Sequence, residues 1–317
     1  MFSFIKYLQG LKEGFQKNKG LWFTTITILS ILGILVTMYI ITTMTSNVSE
    51  KVYQSMSKEY RLELTTLLNA KEQEFKKVAL VALENESLLK LIETNKEDQI
   101  LSYTKNLNES LSKKSINNYK ISFYALGSSQ AILRPSIISV IKSKNSIYGI
   151  EVMSDGVFNT YLQPLIQNEE VYGVIEVKES IHNYKKSFDG LNSEYVFLLD
   201  KKMLSLISID VKNGKYRDMN DVYTVAQTFY DSKFTATVPE ITKDEFKNMI
   251  DNNYLISGVY YRTYKIIYDI NGADIGIILL GEYVDNENGF VNLANDMTNT
   301  VTTVALGLVI SIMLFMF

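Results

Sequence analysis

Two long apolar runs without a single charged residue constrain this chain more than any other feature. From Leu21 to Thr43 it reads LWFTTITILSILGILVTMYIITT, and from Asn299 to Phe317 it reads NTVTTVALGLVISIMLFMF. A helix rises about 1.5 Å per residue, so runs of this length suffice for a bilayer core about 30 Å thick. The first run is longer than the apolar core of a signal peptide. The stretch that follows it, Met44 to Lys51 (MTSNVSEK), lacks a small-residue cleavage pattern. Both runs are therefore expected to be transmembrane helices, over residues 21–43 and 299–317.

Orientation follows from the charge beside the first run. Residues 1–20 hold Lys6, Lys12, Lys17 and Lys19 against Glu13 alone, a net +3, and the positive flank stays in the cytoplasm. The whole chain carries −3, which leaves −6 for the rest. An acidic body held outside the cytoplasm is a poor match for nucleic acid or anionic lipid. The absence of cysteine fits an exported domain without disulfides and does not by itself locate it. The sequons at Asn47, Asn85 and Asn108 are short enough to be accidental.

Between the runs the texture changes once. Residues 46–97 contain no Pro or Gly, and apolar residues recur at three- and four-residue steps through Tyr60, Leu64, Leu67, Leu68, Phe75, Val78, Ala79 and Ala82. That period predicts a long stalk helix, with a shorter one over 96–112. After Asn117, short runs rich in Tyr, Phe, Ile and Val alternate with turn residues, which predicts strands. These cover 120–126, 130–133, 146–153, 157–166 and 171–178, with Asp155-Gly156 as one tight turn and 167–170 as another. Residues 179–189 read as a helix stopped by Gly190. A second group follows: strands at 195–199 and 203–209, helices at 222–230 and 242–250, strands at 254–261, 263–268 and 275–282, and a helix from Asn286 that runs into the second apolar segment. Pro164 to Val177 (PLIQNEEVYGVIEV) and Ile267 to Leu280 (IYDINGADIGIILL) form a faint internal repeat that aligns Asn168 with Asn271 and Gly173 with Gly276.

In order and spacing, Ile132-Leu133-Arg134-Pro135, Tyr148-Gly149-Ile150-Glu151, Asp155-Gly156, Gln163-Pro164-Leu165 and Val171-Tyr172-Gly173-Val174-Ile175-Glu176 match a known pattern. With the helix before them and the second strand group after, they resemble the double Cache extracytoplasmic sensory domain of bacterial transmembrane receptors. The nearest variant is the one carried by sensor kinases, diguanylate cyclases and chemoreceptors. The resemblance covers about residues 46–298 and is strongest over 121–178. It implies an α+β fold with a long N-terminal helix and two PAS-like antiparallel-sheet lobes, flanked by two transmembrane helices. The chain departs from the pattern at Ser136-Ile137-Ile138 and at Phe158-Asn159-Thr160-Tyr161, where relatives carry further polar groups. The Tyr, Arg and Trp-Tyr motif of the best-known amino-acid receptors is absent, so no ligand identity transfers from them.

Arg134 is the leading candidate for ligand contact, because a guanidinium on a strand that ends at Pro135 can fork onto a carboxylate or phosphate. The competing reading is an ion pair with Glu151 or Glu176 in the same sheet. Tyr124, Tyr148 and Tyr161 on neighbouring strands can supply an amphipathic wall. The candidate ligand-binding set is therefore Arg134, Tyr124, Tyr148, Glu151 and Tyr161. No catalytic residue, metal ligand or cofactor is expected. The single histidine, His182, reads as a solvated helix residue, and no cysteine exists to partner it. Residues 269–274 (DINGAD) lack the closing Glu of a calcium loop and read as a turn.

These features divide the chain into a cytoplasmic N-terminus (1–20), a first transmembrane helix (21–43), an extracytoplasmic sensor (44–298) and a second transmembrane helix (299–317). The sensor divides into stalk helices (44–116), a membrane-distal lobe (117–190), a membrane-proximal lobe (191–285) and an exit helix (286–298). The expected function is a small-molecule-sensing input module of a bacterial signalling receptor of the chemoreceptor, sensor kinase or cyclic-di-GMP enzyme type, without its output domain, and not an enzyme. Its expected partners are a small molecule, with carboxylate-bearing compounds as candidates, the lipid bilayer and a second copy in a homodimer. The expected location is the inner membrane, with the sensor periplasmic or extracellular. The alternative is a dimeric membrane-anchored scaffold without a small ligand.

Overall fold

The computed structural model of the chain describes residues 19–94, 96–113, 118–128, 134–191, 193–207, 214–227, 229–230, 232–284 and 290–316. Two compact units result, one of residues 1–53 with 290–317 and the other of residues 54–289.

The helices that open the chain are α1 (Lys19–Leu83), α2 (Glu86–Glu93) and α3 (Glu97–Lys113). The expected stalk is thus interrupted once. Asn85 breaks it by accepting from the Leu88 N–H at 3.0 Å, which caps α2, while its amide donates to the Tyr103 hydroxyl at 2.8 Å. The first lobe follows as β1 (Tyr119–Ala125), α4 (Pro135–Ser143), β2 (Ile147–Met153), β3 (Gly156–Gln167) and β4 (Glu170–Ser180). A 3-10 turn at Ile181–Tyr184 and α5 (Lys185–Asp189) lead out of it. The second lobe contains β5 (Glu194–Asp200), β6 (Tyr216–Asp218), β7 (Tyr223–Ala226), α6 (Lys233–Ala236), α7 (Lys243–Asn252), β8 (Tyr254–Ser257), β9 (Tyr260–Tyr268) and β10 (Asp274–Tyr283). The last described element is α8 (Phe290–Met316).

Both sheets are antiparallel. The first has the order β1-β4-β3-β2 and the second β6-β7-β5-β10-β9-β8. Without the added β6–β7 hairpin, the second sheet repeats the first: an opening strand, a helix, then a three-strand meander whose last strand pairs with the first. The sequence repeat lies at matching places, since Gly173 of β4 pairs with Ala125 of β1 and Gly276 of β10 pairs with Leu199 of β5. The β3–β4 turn holds Asn168 at φ 50° and Glu169 at φ 65°, the paired positive values of a two-residue hairpin that follows strand twist.

Strand alternation gives the first sheet two faces. One carries Ile121, Phe123, Tyr161, Ile175 and Val177 against Phe75 and Ala79 of α1, Leu88 and Ile92 of α2, and Ile100 of α3. The opposite face carries Tyr124, Leu162 and Val174 against Ile137 and Val140 of α4. Helix α4 was not anticipated, although Pro135 at its first turn and the Ile137, Val140, Ile141 spacing signal one. The second lobe meets α1 through Ser57, bonded to the Asn253 carbonyl and the Thr263 hydroxyl at 2.7 Å each. Lys265 also donates to the Thr65 hydroxyl at 2.5 Å.

The β9–β10 turn also brings the lobes into contact. It docks on the outer edge of β2, where the Ile270 N–H donates to the Ile150 carbonyl at 2.8 Å and Asp269 bridges Ile150 in parallel. Gly149 lies beneath the Ile270 side chain, with room for no Cβ at that contact. The turn itself is the one expected over 269–274: the Asp269 carboxylate accepts from the N–H groups of Asn271 and Ala273 at 2.9 and 2.8 Å.

Several elements differ from expectation. Residues 222–227, 229 and 230 do not form the expected helix, and position 228 lies outside the described residues. The Asn220 side chain accepts from the N–H groups of Val222 and Tyr223, and this turn launches the strand Tyr223–Ala226 between β5 and β6. Lys201–Met203 is a 3-10 turn anchored by the Asp200 carboxylate on the Lys202 N–H, where a strand was expected from 203. Positions 208 and 209 of that expected strand lie outside the described residues. The expected strand over 254–261 is cut by Gly258 at φ 59°, so the hairpin turns there and Arg262 sits inside β9. The expected strand at 130–133 and helix start at Asn286 lie outside the described residues.

The segment Ile31–Leu83 of α1, which begins in the unit of residues 1–53 with 290–317 and continues into the other, is long and apolar enough to cross a membrane. Threonines 24, 37 and 42 of α1 each donate to the carbonyl four residues back, which satisfies their hydroxyls within an apolar run. Beside that run, the Tyr53 hydroxyl donates to Asn295 of α8 at 2.7 Å, and the Ser49 and Thr298 hydroxyls lie 3.4 Å apart.

Candidate ligand-binding site

Arg134 is not on a strand. It is the residue before α4, with extended backbone, and it leans over the α4-covered face of the first sheet. There its Nη2 meets Glu151 of β2 at 2.6 Å and its Nε donates to the same carboxylate at 3.4 Å, a forked pair. Its Nη1 lies 2.8 Å from Glu176 of β4 and donates to the Tyr124 hydroxyl at 3.2 Å. Tyr124 in turn donates to Glu176 at 2.7 Å, and the Ser136 hydroxyl donates to Glu151 at 2.8 Å. Glu176 is fully buried, while Arg134 and Glu151 keep 19% and 13% of their side chains exposed.

Electrostatics tie the group together. Burial acts to lower the Arg134 pKa, but Glu176 and Glu151 beside it reverse that and raise it above the usual guanidinium range. Tyr124 is raised first by burial and then by the Glu176 charge, so it stays a neutral hydrogen-bond donor. One guanidinium faces two carboxylates, so the cluster holds one acid in excess of its bases. Thr160 of β3 is on the same sheet face. Its hydroxyl is buried and has no hydrogen-bond partner among the described residues.

The candidate set divides between the two faces. Arg134, Tyr124 and Glu151 come together, whereas Tyr148 and Tyr161 face α1 on the other side. Tyr148 and Glu151 are three positions apart on one strand, and odd spacing puts them on opposite faces. Tyr148 is opposite Tyr161 in the register, donates to the Leu68 carbonyl of α1 at 2.5 Å and packs edge-on against Phe75. Tyr161 is buried in the helix-side core and donates to Gln163. Glu176 and Ser136 complete the cluster and were not in the candidate set. A carboxylate within the apolar run of 171–177 was the signal for Glu176.

His182 is also placed differently from expectation. It is buried, its ring stacked on Phe229 with centroids 4.5 Å apart, and its Nδ1 shares a 2.8 Å hydrogen bond with the Tyr230 hydroxyl. Burial pulls its pKa down to about 3, so the imidazole is neutral.

No protein-family model and no curated protein sequence matches the chain. Solved structures to which the chain is similar include the sensor domain of the V. cholerae histidine kinase DctB, at 10% identity and TM-score 0.35, over 73% of this chain and 98% of that one. The ligand-binding domain of the Campylobacter jejuni chemoreceptor Tlp3 with 4-methylisoleucine has 13% identity and TM-score 0.35, over 77% and 92%. The ligand-binding domain of Mlp24 with asparagine has 10% identity and TM-score 0.34, over 82% and 99%.

Proposed function

We propose that this chain is the input module of a bacterial transmembrane receptor and binds a small molecule outside the cytoplasm through the first lobe. Its proposed organisation is the one set out from the sequence, with spans at 21–43 and 299–317 around a two-lobed sensor. The observation that carries the reading is the Arg134, Glu151 and Glu176 cluster, a nearly buried charged group with one carboxylate in excess. The sheet does not need it for packing, since Leu162, Val174, Ile137 and Val140 already fill that face. Buried charge of this kind is costly unless completed by a partner. All three Arg134 nitrogens are engaged by protein groups, so the cluster suits the ammonium end of a ligand better than a carboxylate. The unpartnered Thr160 hydroxyl offers such a ligand a further polar contact.

The test is thermal unfolding of the full chain in detergent micelles against a panel of primary amines, α-amino acids and dicarboxylates. An amine-bearing compound at about one hundred times its Kd should stabilise the fold by about 2.7 kcal/mol, and Glu151→Gln should remove that response. A response to amines that survives Glu151→Gln overturns the site. Stabilisation by a protein partner alone, with no small molecule active, overturns the sensor reading in favour of a scaffold.

A further inference from the structure

A cavity of about 420 Å³ opens on the face of the first sheet covered by α1, α2 and α3, opposite the face that carries the Arg134 cluster. That volume is within the range of small-molecule sites. Val78 and Ala82 of α1, Leu107 and Leu111 of α3, and Ile121 and Phe123 of β1 form its walls. The space has a local cause. Along the last turns of α1 the side chains packed toward the sheet are Val78, Ala79 and Ala82, too short to fill the gap toward the two leucines of α3.

The few polar groups of the lining differ in how they are satisfied. At one end the Asn85 amide donates to the Tyr103 hydroxyl at 2.8 Å, and its carbonyl accepts from the Leu88 N–H at 3.0 Å. Lys77 lies eight positions before Asn85, about 12 Å away at helical rise. It is exposed, and among the described residues it has no hydrogen bond and no ion pair. The acid one turn before it, Glu74, is held by Lys71 at 3.0 Å. Val81, one turn after Lys77, is 66% exposed and leaves apolar surface at the same opening. An apolar interior with an unpaired ammonium at its rim complements an amphiphile with an anionic head.

We propose that this cavity binds a medium-chain aliphatic carboxylate, its alkyl chain between α1, α3 and β1 and its carboxylate on Lys77. Burying the chain removes wet apolar wall, and the ion pair fixes its direction. An occupant also touches both the stalk helices and β1, so it ties the stalk to the first sheet. The site shares no residue with the amine site on the α4-covered face, and neither depends on the other.

Equilibrium dialysis of radiolabelled octanoate against the full chain in phospholipid nanodiscs, with uptake by empty nanodiscs subtracted, tests the proposal. Octanoate should bind saturably, and hexanoate and butanoate more weakly, by on the order of tenfold for each two methylenes removed. Octylamine, of the same length and opposite charge, should compete about tenfold less well. Lys77→Met keeps the apolar stem and should erase that preference for the acid, while Val81→Trp should block the opening and weaken octanoate. Both positions are exposed, so both variants should fold. No saturable excess over empty nanodiscs, equal binding of octanoate and octylamine, or an unaltered preference in Lys77→Met overturns the site. A change of oligomeric state in Val81→Trp without octanoate binding to the parent overturns it in favour of a second copy of the chain.

Discussion

Burying the only imidazole of the chain gives its stability a particular pH dependence. The folded His182 titrates near pH 3 and an unfolded histidine near 6.5, so the native state resists the proton that the unfolded chain accepts. This contribution is complete above about pH 6.5 and is lost progressively as pH falls toward 3. At pH 5 the loss should reach about 2 kcal/mol. Glu63 and Glu194, both raised by burial, act in the opposite direction, so the quantity to measure is the difference from a variant. Asn places a polar atom near the former Nδ1. Chemical denaturation of His182→Asn between pH 7.5 and 5 should lose less stability than the parent by about that amount, and parallel curves for the two would contradict the burial. At this scale the sequence revealed types better than surroundings. Arg134 could be read as an ion-pair partner of Glu151 or Glu176, though not as the residue before a helix, and Tyr148 and Tyr161 could not be assigned to a face until the register was known. The burial of His182 depends on Phe229 and Tyr230, 47 and 48 positions further on, which no local pattern joins to it.

At the scale of elements, the paired glycines of the repeat make a sharp comparison. Gly276 has φ +147°, and an added Cβ would enter the Leu198 carbonyl oxygen of the neighbouring strand. Gly173 has no such dihedral requirement, but its Cβ would fall 2.5 Å from the Ile92 side chain and 2.8 Å from the Tyr124 carbonyl oxygen. Gly276 meets backbone at the shorter distance, 2.1 Å, and has the positive φ as well, so Gly276→Ala should cost on the order of 3 kcal/mol and Gly173→Ala less. Urea unfolding of both variants checks the ranking, and a Gly276→Ala chain as stable as its parent would refute it. Elements with a strong period were legible: the long helix, the 17-residue α3 and the meander strands all lie close to where periodicity placed them. Misreadings fell where a single side chain sets the backbone. Asn220 starts β7, Asn85 restarts the helix and Gly258 turns the β8–β9 hairpin, and in each case a local hydrogen bond or a positive φ outweighed the apolar pattern.

For the whole molecule, the lack of cysteine makes the proposed topology directly measurable. Lys6→Cys and Ser154→Cys each introduce the chain's sole thiol, the second in the exposed β2–β3 turn. In intact cells a membrane-impermeant maleimide should label Ser154→Cys and reach Lys6→Cys only after permeabilisation; the reverse pattern would invert the orientation. The α+β architecture was legible because helix and strand periods segregate along the chain. The matching order of the two sheets was only hinted at by a fourteen-residue repeat, since topology lies in the pairing of strands and not in their composition. The docking of the β9–β10 turn on β2 left no trace in the sequence beyond a glycine at 149. Its consequence is mechanical. Strand β10 extends about 33 Å from that turn, and its backbone is hydrogen-bonded on both sides through most of its length. Such a strand transmits a push along its axis with little give, so the two sheets are geared together. A tilt of β2 is therefore expected to reappear at Tyr283 as travel of the whole strut.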